Sequence, residues 1–226
     1  MEPTENEKID NIKKYIPESL YANKSGNSKA AIEKFWSFGE IKAKYQGISL
    51  HRPSEKDKSA FFVFETDNLS LKSISKEIPE RSWKEYTDSS SLYFSITMNG
   101  EYAGYCGVID TSKELWEISI TLGEKFRNQG IGFNAICIML DEISNRLGVS
   151  EFRVRIMADN TASQRLFEKL GARPNGISEY FTLGEHTDEF IKSNAHLITD
   201  DIIRVAEKFG VEPEILLTHA LEYKLG

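Results

Sequence analysis

The sequence predicts an α/β fold, and three observations carry that prediction. Leu92 to Met98 and Glu101 to Ile109 are strand-like runs joined by Asn99-Gly100, a dipeptide that tolerates the positive φ values of a type I′ hairpin turn. Leu115 to Leu122 alternates apolar and polar residues, and after a turn the apolar spacing becomes helical from Gly130 to Leu147. A second alternating strand, Glu151 to Met157, runs into a short helix that ends at Gly171.

From the N-terminus, Glu7 to Tyr15 predicts a helix, Asn23 to Ser28 a polar break, and Lys29 to Phe38 a second helix carrying Ala30, Ile32, Phe35 and Trp36. Exposing Phe35 and Trp36 would be unfavourable, so this helix packs against the domain or a partner. Residues 54–88 read as two helical pieces, one with Phe61, Phe62, Val63 and Phe64, the other with Leu69, Leu71, Ile74 and Ile78. In the strand from Leu115, Trp116, Ile118, Ile120 and Leu122 share the packed face, and Glu117, Ser119 and Thr121 point away from it. The long helix has Ile136, Met139, Leu140, Ile143 and Leu147 on its apolar stripe and closes at Gly148. Phe152, Val154 and Ile156 point inward on the next strand, and Ala162, Leu166 and Leu170 share one side of the helix after it. Near the C-terminus Thr199-Asp200 reads as a cap, Ile202 to Phe209 as a helix ended by Gly210, and Pro213 as the start of another helix with Ile215, Leu216, Leu217, Ala220 and Leu221.

The stretch Arg127-Asn128-Gln129-Gly130-Ile131-Gly132 lies where the first strand turns into the long helix. A pyrophosphate resting on the opening turn of a helix must approach amide nitrogens closely, and any Cβ there stands in its path. Two spaced glycines clear that approach. The helix dipole adds about 0.3–1 kcal/mol per exposed charge, and Arg127 offers a charge-assisted contact. A phosphorylated cofactor is therefore expected, although the same glycines also fit a plain helix start or close packing.

Arg127, Gly130 and Gly132, followed by Asn160, Ser163 and Gly171, resemble the two signatures of the GNAT N-acetyltransferase superfamily. The first is Arg or Gln, two residues, Gly, one residue, Gly or Ala; the second is Asn, two residues, Ser or Ala, then a helix and Gly-Phe. Within the superfamily, Glu117-Ile118 is similar to the Glu-Ile-Gly-Tyr strand of the RimJ and RimL ribosomal-protein alanine N-acetyltransferases. Ser163 to Gly171 resembles their Ser-x-Arg-x-x-Glu-Lys-x-Gly helix, and Leu50 to Asp57 their opening strand and the start of the first helix. The resemblance spans roughly residues 47 to 185. Three positions depart from it: Glu124 replaces a frequent proline, Ala172 a phenylalanine, and Phe167 a tyrosine that protonates the leaving thiolate in many members. A phenylalanine has no proton to give.

The resemblance implies a mixed, mostly antiparallel central sheet flanked by helices over residues 47–190. An N-terminal helical extension (1–46) and a C-terminal helical pair (191–226) complete the expected organisation. It implies an enzyme that moves an acetyl group from acetyl-CoA to a primary amine, either a protein N-terminal α-amine or a small molecule, by direct attack in a ternary complex. The cofactor is then assigned to Ile120 and Leu122 on the strand, to Arg127, Asn128, Gln129, Gly130, Ile131 and Gly132 at the turn, and to Asn160, Ser163 and Phe167 beyond. Asn160 can serve the pantetheine arm, cap its helix, or both. Ser163 reaches the same arm or faces solvent, and Phe167 is a wall for the pantetheine or acetyl end or a plain core residue. Residues 54–88 border the acceptor cleft of the resembled fold.

The chemistry needs a group to take the amine's proton, a donor for the thioester oxygen, and both substrates held within attack distance. Glu117 is the candidate base, a partly buried carboxylate whose pKa would be raised; alternatively it is a solvated strand residue or pairs with Arg153 or Arg155 on the neighbouring strand. A domain of the same fold that senses acyl-CoA without turnover is the competing class.

Composition narrows the partners. The 226 residues are 40% hydrophobic and 28% charged, with a formal net charge of −7, which suits a globular protein with cationic acceptors and argues against nucleic acid. The Lys208–Val211 region superficially suggests a helix-turn-helix, but Glu212, Glu214 and Glu222 would repel phosphate. No apolar run approaches the eighteen or so residues needed to cross a bilayer, and the acidic start is unlike a secretory signal, so a cytoplasmic protein is expected. Cys106 and Cys137 read as small core residues, and no metal-ligand spacing is present. A homodimer is left open.

Overall fold

The computed structural model describes residues 26–68, 77–87, 91–111, 113–180 and 187–226. The expected helix Glu7–Tyr15, and Leu69, Leu71 and Ile74 of the second helical piece, lie outside them. The chain divides after Arg153 into two compact units.

The first unit runs α1 (Gly26–Ser37), β1 (Lys44–Tyr45), β2 (Ile48–His51), α2 (Lys58–Asn68), α3 (Glu77–Thr87), β3 (Leu92–Met98), β4 (Glu101–Asp110), β5 (Trp116–Leu122) and α4 (Ile131–Leu147). Strands β1 to β5 pair in sequence order, each antiparallel to the next. The β3–β4 hairpin forms on Asn99 (φ 51°) and Gly100 (φ 85°), the paired left-handed residues that its sequence favours. One sheet face buries Leu92, Phe94, Ile96, Cys106, Val108 and Ile118, and α4 covers β2, β4 and β5 with Ala135, Ile136, Met139 and Ile143 buried. Helix α1 packs as expected: Phe35 is fully buried and meets Phe94 edge-on at 5.4 Å. Arg146 secures its end, with Nη1 donating to the Phe35 carbonyl at 3.2 Å and the Gly39 carbonyl at 2.6 Å. The Phe35 carbonyl lies in the last turn of α1, where carbonyls have no intrahelical donor, and the Gly39 carbonyl lies just beyond it; the guanidinium satisfies both.

The opposite sheet face is aromatic. Phe61 of α2, Trp83 and Tyr86 of α3 and the sheet residues Tyr93, Tyr102 and Tyr105 form one cluster. Gly107 makes it possible, because a Cβ there would stand 2.4 Å from Tyr93 Cδ1 and 2.6 Å from the Leu92 oxygen. Because helices cover both faces, Glu117 is buried (6% exposed) rather than turned away from the packed side. Alternation alone reads only one face as packed. Cys106 is fully buried, which pushes its thiol well up from the ordinary range. Cys137, expected in the core, is only half-buried.

The second unit begins within β6 (Phe152–Ile156) and continues through α5 (Thr161–Lys169), β7 (Arg173–Glu179), α6 (Thr187–Asn194), α7 (Asp200–Phe209) and β8 (His219–Leu225). Its strand order is β6, β8, β7, so the last strand in sequence lies between the other two. β7 and β8 are antiparallel, with Ile177 opposite Leu221 and Glu179 opposite His219. The helix capped by Thr199 and ended by left-handed Gly210 is present.

The second C-terminal helix is not. Pro213–Leu217 is a short 3-10 turn, closed by the Thr218 N–H and hydroxyl donating to the Ile215 carbonyl, and the chain then extends as β8. Leu221, Tyr223 and Leu225 alternate with Glu222 and Lys224 and are buried, a period of two that outweighs the apolar run before it. With no second helix, the helix-turn-helix reading falls. β7 ends just before Tyr180. On α5, Ala162 is exposed and Gln164 and Phe167 are buried, because the Gln164 amide turns inward to donate to the Ala158 carbonyl at 2.8 Å.

Candidate active site

The turn between β5 and α4 is built from its backbone outward. The Gly123 N–H donates to the Ala103 carbonyl at 3.0 Å, and a short 3-10 turn, Glu124–Phe126, follows with Phe126 buried. Asn128 (φ 59°) and Gly130 (φ 76°) are then left-handed, a sequence of conformations that gathers successive N–H groups on one concave side. Arg127 Nε donates to the Leu122 carbonyl at 2.9 Å and the Gln129 amide to the Lys125 carbonyl, so both side chains brace the turn. Gly130 is the N-cap of α4, with no side-chain cap hydrogen bond. The N–H groups of the first turn of this 17-residue helix therefore face outward without an intrahelical acceptor. A Cβ on Gly130 would meet only Asn134 Nδ2 at 3.7 Å, so it is the backbone angle and not the space that favours glycine here, and its bareness leaves the amides open as well. Arg127, Asn128, Gln129 and Gly130 are exposed; Ile131 and Gly132 are buried, so Ile131 anchors the turn and can offer a ligand only its main chain.

Strand β5 leads into this turn. Its parallel register with β6 consists of Trp116 with Phe152 and Glu117 with Arg153. Ile120 and Leu122 farther along β5 are half-buried, and the strand keeps β4 on one edge. Every second residue of a strand presents its N–H and C=O to that edge. Glu117 has its Oε2 3.1 Å from Arg153 Nη2. The ion pair considered from the sequence is thus realised.

Glu117 shares its face with Ser119 and Thr121, and cross-strand pairing puts Gly107 beside Ser119 and Tyr105 beside Thr121. Burial pushes the Tyr93 phenol up to about 12 and those of Tyr102 and Tyr105 further, so all three remain protonated donors near neutral pH. Tyr105 donates to Glu65 Oε1 at 3.3 Å, and burial raises the Glu65 carboxyl above its ordinary range, opposed by that bond. The helices above are pinned by polar contacts. Tyr86 and Ser95 hydroxyls lie 2.7 Å apart, and Asp57 accepts from the Ser54 N–H at 2.8 Å and meets His51 Nε2 at 2.9 Å. Burial alone would raise Asp57, but these partners hold it below the usual carboxylate range. Glu65 and the tyrosines were missed in the sequence. The usable signal was the alternation of Tyr93 and Ser95 with Phe94 and Ile96, and of Tyr105 and Gly107 with Cys106 and Val108.

In the second unit Asn160 caps α5, its Oδ1 accepting from the Ser163 N–H at 3.1 Å. Phe167 is 2% exposed. Of its two readings, so little free surface favours core packing. Among the described residues no group of three or more His, Cys, Asp or Glu side chains could hold a metal ion. None of the described helices is long and apolar enough to cross a membrane.

The Acetyltransferase (GNAT) domain family matches residues 48–173, more than half of the chain, including β2 through α5. No curated protein matches the chain in sequence. Solved structures share its fold at low identity. RimL, a ribosomal alpha-N-protein acetyltransferase in complex with coenzyme A, has 15% identity over 82% of this chain and 97% of its own, with a TM-score of 0.58. Mycobacterium smegmatis RimJ in complex with CoA-disulfide has 13% identity over 79% and 81%, with a TM-score of 0.55. A spermidine N-acetyltransferase SpeG chimera from Vibrio cholerae and hSSAT has 12% identity over 79% and 94%, with a TM-score of 0.55. Strand, bare-amide turn and helix all lie within the matched residues, and the chain accordingly belongs to the GNAT family as an N-acetyltransferase whose acetyl donor is acetyl-CoA.

Proposed function

We propose that this N-acetyltransferase transfers acetyl to a primary amine, of a protein N-terminus or a small molecule, by direct attack in a ternary complex. The observation that carries the reading is the uncapped start of α4 behind left-handed Asn128 and Gly130. Those amides suit the diphosphate of coenzyme A, with Arg127 adding charge at the rim. Backbone groups of β5 around Ile120 and Leu122 hold the thioester end, and one N–H there faces the carbonyl oxygen as charge grows on it. Asn160 and Ser163 take the contacts that the second family signature assigns them.

The amine nitrogen attacks the thioester carbonyl carbon, the C–N bond forms, and the C–S bond breaks to release the thiolate. Glu117 accepts the amine's proton, directly or through one water. Phe167 has no proton to donate, and the thiolate takes one from water. Ribosomal-protein and spermidine acetyltransferases share the fold, and an overall charge of −7 favours cationic acceptors of either kind. We place the reaction in the cytoplasm, where acetyl-CoA is at hand.

Incubation with acetyl-CoA and a panel of peptides with different first residues, polyamines and aminoglycosides tests the reading. Steady release of free CoA thiol that depends on one class of amine is expected. Tight CoA binding with no amine-dependent release would make the domain an acyl-CoA sensor instead.

A further inference from the structure

The aromatic face holds two carboxylates in different circumstances. Glu117 faces the Arg153 guanidinium at 3.1 Å. Glu65 is half-buried at the end of α2, and its hydrogen bond comes from a neutral phenol, Tyr105, at 3.3 Å. No Lys or Arg among the described residues forms an ion pair with it. Tyr105 lies across from Thr121 on β5, and its ring is 5.1 Å from Tyr86, 5.7 Å from Phe61 and 5.9 Å from Tyr93. The negative faces of such rings attract ammonium groups.

We propose that Glu65 receives a second positive charge on the acceptor, so that the preferred substrate is a primary amine with a further ammonium along an apolar chain. The inference deepens the acetyltransferase reading and rests on it. Glu117 and Thr121 lie on one face of β5 four residues apart, about 13 Å at roughly 3.3 Å per residue. Glu65 reaches the Thr121 end through Tyr105, so an extended chain can set its reacting nitrogen towards Glu117 while its other end meets Glu65. The field on this face has the matching sign. Beyond burial, which dominates, the charges of Glu85, Glu117 and Glu65 all push the Tyr93 phenol upward, and the Ser119 hydroxyl opposes them.

The test is calorimetry on protein saturated with coenzyme A, titrated with 1,4-diaminobutane, 1,6-diaminohexane, 1,8-diaminooctane and hexylamine, for wild type and Glu65→Gln. Glutamine keeps the size of the side chain and still accepts from Tyr105. At least one diamine is expected to bind wild type about tenfold or more tighter than hexylamine, and Glu65→Gln to abolish that preference while hexylamine and coenzyme A affinities stay within about twofold. Equal binding of diamines and hexylamine by wild type, or a preference that survives in Glu65→Gln, overturns the proposal. The coenzyme A titration separates the two readings: lost cofactor affinity in wild type would count against the acetyltransferase site, not against Glu65.

Discussion

Gly130→Glu is expected to weaken coenzyme A binding by at least about 100-fold, roughly 2.7 kcal/mol, while the protein stays folded. The substitution places a carboxylate at the mouth of a helix whose first amides have no side-chain cap. It exchanges a favourable dipole–phosphate contact for charge repulsion within a few ångströms. The local space is open, since a Cβ at this position would have only Asn134 Nδ2 within 4 Å. The fold therefore bears only the cost of a non-glycine residue at φ 76°, about 1–2 kcal/mol. Gly130→Asn is the control, because asparagine tolerates that conformation and brings no charge. Its affinity should fall much less. If Gly130→Glu binds coenzyme A as wild type does, the diphosphate is held elsewhere.

Glu117→Gln is expected to lower kcat by about 10²–10⁴-fold with little change in coenzyme A affinity, the usual range for losing a general base. The result is informative because Glu117 also pairs with Arg153. A purely structural partner would lose stability on substitution without a matching loss of kcat at temperatures where the variant is folded. A base would lose kcat and with it the wild-type pH dependence of the rate. An unchanged rate with a responsive amine across pH assigns Glu117 to the ion pair alone.

Several features were legible in the sequence because their causes are local. Asn99-Gly100 forces its turn, Gly148 and Gly210 end their helices in the left-handed region, and Gly130 caps α4 through its own φ. The turn over Arg127–Gly132 was readable for the same reason: its conformation is set by consecutive main-chain groups. The misread features depend on distant residues. Glu117 was read as pointing away from the packed face because α2 and α3, which cover its own face, lie 30 to 59 residues earlier in the chain. The tail looked helical because Ile215, Leu216 and Leu217 are consecutive, and only the later alternation of Leu221, Tyr223 and Leu225 reveals the strand. Glu65 carries no local mark at all, since its meaning comes from Tyr105, forty residues away.

Everything proposed for the reaction depends on main-chain amides at the start of α4 holding the diphosphate of coenzyme A. The decisive comparison is the affinity of the protein for coenzyme A against that for pantetheine, which keeps the thiol arm and lacks the diphosphate and nucleotide, with desulfo-coenzyme A confirming that the thiol itself contributes little. Pantetheine is expected to bind at least about 100-fold more weakly, with the gap narrowing in Gly130→Glu. Equal affinities for the two in wild type would mean that these amides do not grip the diphosphate.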